Sequence, residues 1–179
     1  VTEAAALTDV TQVAGGERHA VALHSDGTVS AWGSATVYND PTTLPDGGIS
    51  GAVQVAANRY ASFALLSNGT IASWGYHGFG GPTFTGVTKI AANGCQLVAL
   101  RSDGSVGTWG SNCFGNPVGD APAGTYIDVA AGIGFSAALR SDGTVVTWAE
   151  SQIAVQSQGV VPPSGLTDAS VAPSEILAP

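Results

Sequence analysis

One pattern recurs four times along this 179-residue chain with no internal gap: V/I-A-(x)7-A-L-x-S-D/N-G-T/S-V/I-x-x-W. It runs from Val13 to Trp32, Val55 to Trp74, Ile90 to Trp109 and Val129 to Trp148, so the tryptophans stand 42, 35 and 39 residues apart. A unit of this size cannot bury both of its own faces, and its copies must stack on one another. The repeat therefore excludes a domain built around one core of unrelated elements.

Each part of the pattern has a physical role. Asp26-Gly27, Asn68-Gly69, Asp103-Gly104 and Asp142-Gly143 are dipeptides that accept positive φ in tight hairpin turns. Ala-Leu precedes each turn, and a β-branched residue and then tryptophan follow it. Alternation such as Val29 and Ala31 against Ser30 and Trp32 fits short antiparallel strands with a period of two. The V-A pair ahead of each hairpin predicts a further strand, and its small neighbours (Ala14-Gly15, Ala56-Ala57, Ala91-Ala92, Ala130-Ala131) allow backbones to approach where strands converge. Three or four short strands per copy and one tryptophan per copy indicate the blade of a β-propeller.

These residues resemble the repeat of the regulator-of-chromosome-condensation family, whose blades read V-A-x-G-x-x-H-x-x-A-L…D-G-x-V-x-x-W-G. The flavour is similar to the secreted bacterial branch, the β-lactamase inhibitor protein II family. The resemblance implies an all-β propeller whose members form seven-bladed rings and act by binding other proteins. The chain departs from it in three ways. Only the first repeat keeps the family histidine, as His19, with Ala61, Gln96 and Phe135 in its place elsewhere. The Trp-Gly pair becomes Trp148-Ala149 in the fourth repeat. Four blades are also too few for seven. The expected architecture is thus about four regulator-of-chromosome-condensation-like blades (10–51, 52–86, 87–125, 126–165), an incomplete ring or half of an oligomeric one. Residues 166–179 open like a fifth repeat and stop before its hairpin. A longer parent chain, a ring closed by two copies and a head-to-tail assembly that completes blades by strand exchange would each resolve this. An open arc leaves edges and faces that proteins normally cover, so homo-oligomerisation is the expectation.

Composition narrows the partners. Charged residues make up 10% of the chain, against about 25% in ordinary domains. Five Lys/Arg face thirteen Asp/Glu, for a net charge of −8, and Lys89 is the only lysine. Phosphate neutralisation needs clustered cations, so nucleic acid is not an expected partner. No apolar run reaches the roughly 18–20 residues of a membrane span. The chain opens at Val1 without a signal segment, which fits a removed export signal or an excised piece. Two cysteines, no methionine and an acidic surface favour an extracellular, secreted setting. The 25 glycines and 28 alanines recur where blades must turn and pack.

Catalysis finds no support. His19, His24 and His77 have no ligand spacing for a metal, which would need three or four convergent donors. No nucleophile elbow, phosphate loop or dinucleotide fingerprint is present, so neither an enzyme nor a cofactor is expected. The turn carboxylates recur because turns need them, and one carboxylate per turn is too few for calcium. Asn68-Gly69-Thr70 matches a glycosylation acceptor, but the hairpin turn accounts for all three residues. Reflecting Cys95 across the Ser102-Asp103-Gly104 turn lands near residue 111, which makes a Cys95–Cys113 disulfide plausible against the alternative of two free thiols.

Candidate binding residues lie where the copies differ. One variable set precedes the Ala-Leu strands and should line one rim of the arc: Glu17-Arg18-His19, Asn58-Arg59-Tyr60, Gly94-Cys95-Gln96 and Ile133-Gly134-Phe135. The other follows each tryptophan and holds Tyr38, Tyr76, His77, Phe79, Phe84 and Phe114. Tyr and Arg are enriched in binding hot spots. The partner-binding candidates are therefore Arg18, His19, Arg59, Tyr60, Tyr76, His77, Phe79 and Phe114. Three functions follow as expectations: a secreted module that binds protein through blade-rim loops, a self-assembling extracellular subunit, and a glycan-binding propeller.

Overall fold

The turn chemistry is realised identically in all four repeats of the computed structural model, which describes residues 7–34, 41–75, 81–111, 113 and 118–149. Asp26 Oδ1 accepts the Thr28 backbone N–H at 2.9 Å and the Thr28 hydroxyl at 2.6 Å. Asn68 with Thr70, Asp103 with Ser105 and Asp142 with Thr144 repeat the arrangement. Gly27, Gly69, Gly104 and Gly143 follow with φ between 78° and 87°, the left-handed region that an L side chain avoids. The Asx side chain and the glycine together close a four-residue hairpin loop.

Each repeat contributes one three-stranded antiparallel sheet in meander order. The strands are β1 (Val10–Gly15), β2 (His19–His24) and β3 (Val29–Gly33); β4 (Ala52–Ala57), β5 (Ala61–Leu66) and β6 (Ile71–Gly75); β7 (Val87–Asn93), β8 (Cys95–Arg101) and β9 (Val106–Ser111); and β10 (Tyr126–Ala131), β11 (Phe135–Arg140) and β12 (Val145–Ala149). The first strand of every sheet bulges at the same place, between Val10/Gln12, Ala52/Gln54, Val87/Lys89 and Tyr126/Asp128. A bulge adds one unpaired residue and sharpens local twist. Its recurrence makes it a property of the blade.

Register assigns the faces. Val21 pairs with Ala31 and Leu23 with Val29, and these four residues face the next blade. There they meet Val55, Ala64 and Trp74 from the opposite face of the second sheet. The second junction repeats this with Phe63 and Leu65 against Ile90, Leu97 and Ala99. Phe63 also meets Trp109 edge-on, with ring centroids 5.7 Å apart. The third places Val98 and Leu100 against Val129, Ala138 and Trp148. Among the described residues the core is thus three separate layers between four blades. Middle strands such as β5 are apolar on both faces because a blade lies on each side.

Two sets of polar contacts fix the stacking. At the turn end, the carbonyls of Gly27, Gly69 and Gly104 accept the N–H of Ala52, Val87 and Tyr126, the first residue of the following inner strand. Along the inner strands, Gln12 donates from Nε2 to the Val55 carbonyl at 3.2 Å and accepts the Val55 N–H at 2.8 Å. Gln54 makes the same pair of bonds to Ile90, both at 2.8 Å. At the third junction the equivalent residue is Lys89, and it pairs instead with Asp128 at 2.5 Å. The link between the first two sheets also clamps the second: the Pro41 carbonyl accepts both Trp74 Nε1 and the Ser62 hydroxyl.

Candidate functional site

The turns that join the first and second strands of each blade gather at one rim. There the ends of three neighbouring inner strands enclose a cleft of about 530 Å³. Its lining includes Glu17, Asn58, Arg59, Asn93 and Ile133, with Cys113 at one side. The small residues Gly15, Gly16, Ala57 and Ala92 also line it, with no long side chain to fill it. Gly16 is required sterically, because a Cβ there would lie 2.2 Å from His19 Cε1 and 2.5 Å from the Asn58 carbonyl.

An ion pair between Arg59 and Glu17 crosses from the second blade to the first. The Arg59 guanidinium donates to the Glu17 carboxylate and holds its pKa below the usual range. The same guanidinium lies 5.1 Å from the centroid of the Tyr60 ring. Beneath it, Asn58 is buried, and its Oδ1 accepts the N–H groups of Tyr60 and Ala61. The Arg59 N–H continues to the Gly94 carbonyl of the third blade at 2.7 Å. The positions of Arg59 and Tyr60 are thus set by backbone contacts, while the guanidinium itself remains exposed.

Of the residues singled out from sequence, Arg18 is exposed on this rim, Arg59 lines the cleft and Tyr60 stands beside it. His19 corrects the expectation. It is 5% exposed and lies under the rim, because its strand position faces the neighbouring blade, as do Val21 and Leu23. Gln96 shows the role of that position: it is fully buried and donates to the Gly132 and Phe135 carbonyls of the next blade. Tyr38, Tyr76, His77, Phe79 and Phe114 lie outside the described residues. Cys95 and Cys113 form a disulfide, with Cys95 paired across the hairpin to Ser111. Sequence reading missed Asn93 and the small lining residues as cleft residues. The signal was a small-small-polar run at the end of the first three inner strands, Gly15-Gly16-Glu17, Ala56-Ala57-Asn58 and Ala91-Ala92-Asn93.

Among the described residues, no group of three or more His, Cys, Asp or Glu side chains is placed to hold a metal ion. Nor is any described helix long and apolar enough to cross a membrane. The rim offers backbone groups, one clamped arginine and an apolar edge at Ile133.

Stacked three-stranded blades with these turns define an incomplete, four-blade propeller of the regulator-of-chromosome-condensation type. The profile of the regulator of chromosome condensation (RCC1) repeat matches residues 10–38, and no curated protein matches the chain in sequence. Among solved structures, the chain is similar to the CRINKLY WD40 ectodomain of the Arabidopsis thaliana receptor kinase ACR4, at 21% identity and a TM-score of 0.65 over 79% of this chain and 51% of that one. Human WBSCR16 gives 21% identity and a TM-score of 0.62 over 78% and 47%. Yeast RCC1 (Prp20), solved bound to Kap60, gives 18% identity and 0.60 over 78% and 43%. The chain spans about half the length of these structures or less.

Proposed function

We infer that the chain is a non-enzymatic protein-interaction module that receives a segment of its partner in the rim cleft. The observation that carries this reading is the convergence of Glu17, Arg59, Asn93 and Ile133, from four different blades, on one cleft. Arg59 is held in place by its Glu17 pair and its backbone bond to Gly94, so ordering it on binding costs little. Proteins of the same fold bind proteins: Prp20 was solved with Kap60, and its binding to Gsp1p and histones has been described. A net charge of −8 favours a protein over a nucleic-acid partner here. The disulfide fits an oxidising, extracellular setting and a likeness to the secreted bacterial branch.

The test compares partners captured by the chain with those captured by an Arg59→Ala, Ile133→Asp double variant. Both side chains are exposed, so the fold is retained. A partner lost with the variant supports the cleft. An unchanged set of partners overturns it.

A further inference from the structure

The two ends of the arc are the halves of a blade junction. Val13 occupies the strand position of Val55, Ile90 and Val129, each of which is covered by the blade before it. Those three are 2%, 2% and 6% exposed, whereas Val13 is 65% exposed. On the last blade, Leu139 and Val145 occupy the positions of the residue pairs Leu23–Val29, Leu65–Ile71 and Leu100–Val106, which pack into the three junctions. Leu139 is only half-buried, whereas Leu23, Leu65 and Leu100 are buried.

We propose that a second copy of this chain packs the outer face of its own fourth blade onto the Val13 side of the first blade, head to tail. This lies beyond the rim reading, since it uses the blade faces and leaves the cleft free. The occupant is specified by continuity with the interfaces inside the molecule: the face that presents Val13 is built like the three faces that already accept a blade, and the face that presents Leu139 is built like the three that already supply one. The backbone supports this match. The N–H and C=O of Val55 and Ile90 point away from their own hairpins toward the preceding blade, and Val13 shares their register against the second strand. An interface of this kind is heterologous, and it closes into a ring or propagates according to the rotation it imposes.

The test is light scattering on the full chain across a range of concentrations, with three variants. The wild-type chain is expected to give at least twice the 17.7 kDa monomer mass, with the multimer dissociating on dilution. Val13→Glu is expected to weaken association about tenfold or more, since it puts a charge where a valine would be buried. Its exposure in the single chain means that folding is unaffected. Val53→Glu is the control, because Val53 is similarly exposed at 56% but sits at the bulge, outside the blade face. It is expected to leave the mass unchanged. Leu139→Glu should also give monomers, and mixing it with Val13→Glu should restore a species of twice the monomer mass, because each variant keeps the face the other lacks. A monomer at every concentration, or a multimer insensitive to Val13→Glu, overturns the proposal. So does equal loss with Val53→Glu.

Discussion

Replacing Gln54 with alanine tests whether the inner-strand glutamines hold neighbouring blades together. The change removes two bonds of 2.8 Å, one to each backbone group of Ile90, and leaves that N–H and C=O without their partner. A hydrogen bond contributes about 1 kcal/mol net, and an unsatisfied buried group costs more. Gln54 is half-buried, so water reaches part of the site. The expected loss is about 2 kcal/mol, which for a chain of this length lowers Tm by about 4–8 °C. Gln54→Glu should lose at least as much, because its carboxylate still accepts the Ile90 N–H but sets a second oxygen, with no proton to donate, against the Ile90 carbonyl. Urea unfolding followed by tryptophan fluorescence reads the global effect, since Trp74 and Trp109 lie in the two junctions that flank this blade. Hydrogen exchange at the Ile90 amide reads the local one. Stability within 0.3 kcal/mol of wild type (about the additivity error for independent sites), together with unchanged protection at Ile90, would refute the reasoning and leave apolar packing and the backbone bonds between blades to hold this junction.

Glycine positions with the same sign of φ should differ sharply in tolerance. A Cβ on Gly110 (φ 104°) would sit 2.2 Å from the Cys95 carbonyl oxygen, so Gly110→Ala is expected to cost more than about 3 kcal/mol. Gly143→Ala, with φ 87° and open space, should cost only about 1–2 kcal/mol of backbone strain; equal urea midpoints would contradict this. Cys113→Ser removes a disulfide with a sequence separation of 18 and should lower stability by about 3 kcal/mol, which an unchanged midpoint would disprove. Hydrogen bonds from Thr28, Ser105 and Thr144 depress the pKa values of Asp26, Asp103 and Asp142. Their contribution is complete above the ordinary aspartate pKa of about 3.9 and is lost as pH falls through the depressed folded values. A variant with asparagine at all three positions should therefore show a flatter acid limb in stability against pH. Asn68 already makes the same turn without titrating, so a steeper limb would count against the assignment.

The local structure was legible because its causes are local. An Asx-Gly turn dictates its hairpin whatever surrounds it, and from the turn the pairing of Cys95 opposite residue 111 follows by counting. Relations between blades were harder to read. Glu17 and Arg59 are 42 residues apart, and their pairing depends on how far one blade rotates past the next. His19 looked like a rim residue because it lies in a variable triplet, but strand parity turns it inward. The column of Gln12, Gln54, Lys89 and Asp128 was visible as four polar residues ahead of the V/I-A pair. Its meaning rested on the bulge beside it, which no propensity signals.

That column also bears on how such a chain can be edited. Gln12 and Gln54 recognise the next blade through its main chain, which is the same whatever residue occupies the position. A glutamine of this kind accepts any successor: excision of residues 52–86 would bring Gln12 before the same two groups of Ile90 that Gln54 now holds. Lys89 and Asp128 read each other's side chains and so specify a particular neighbour. Along this column the first two boundaries are punctuation that any repeat can follow, and the third is an address.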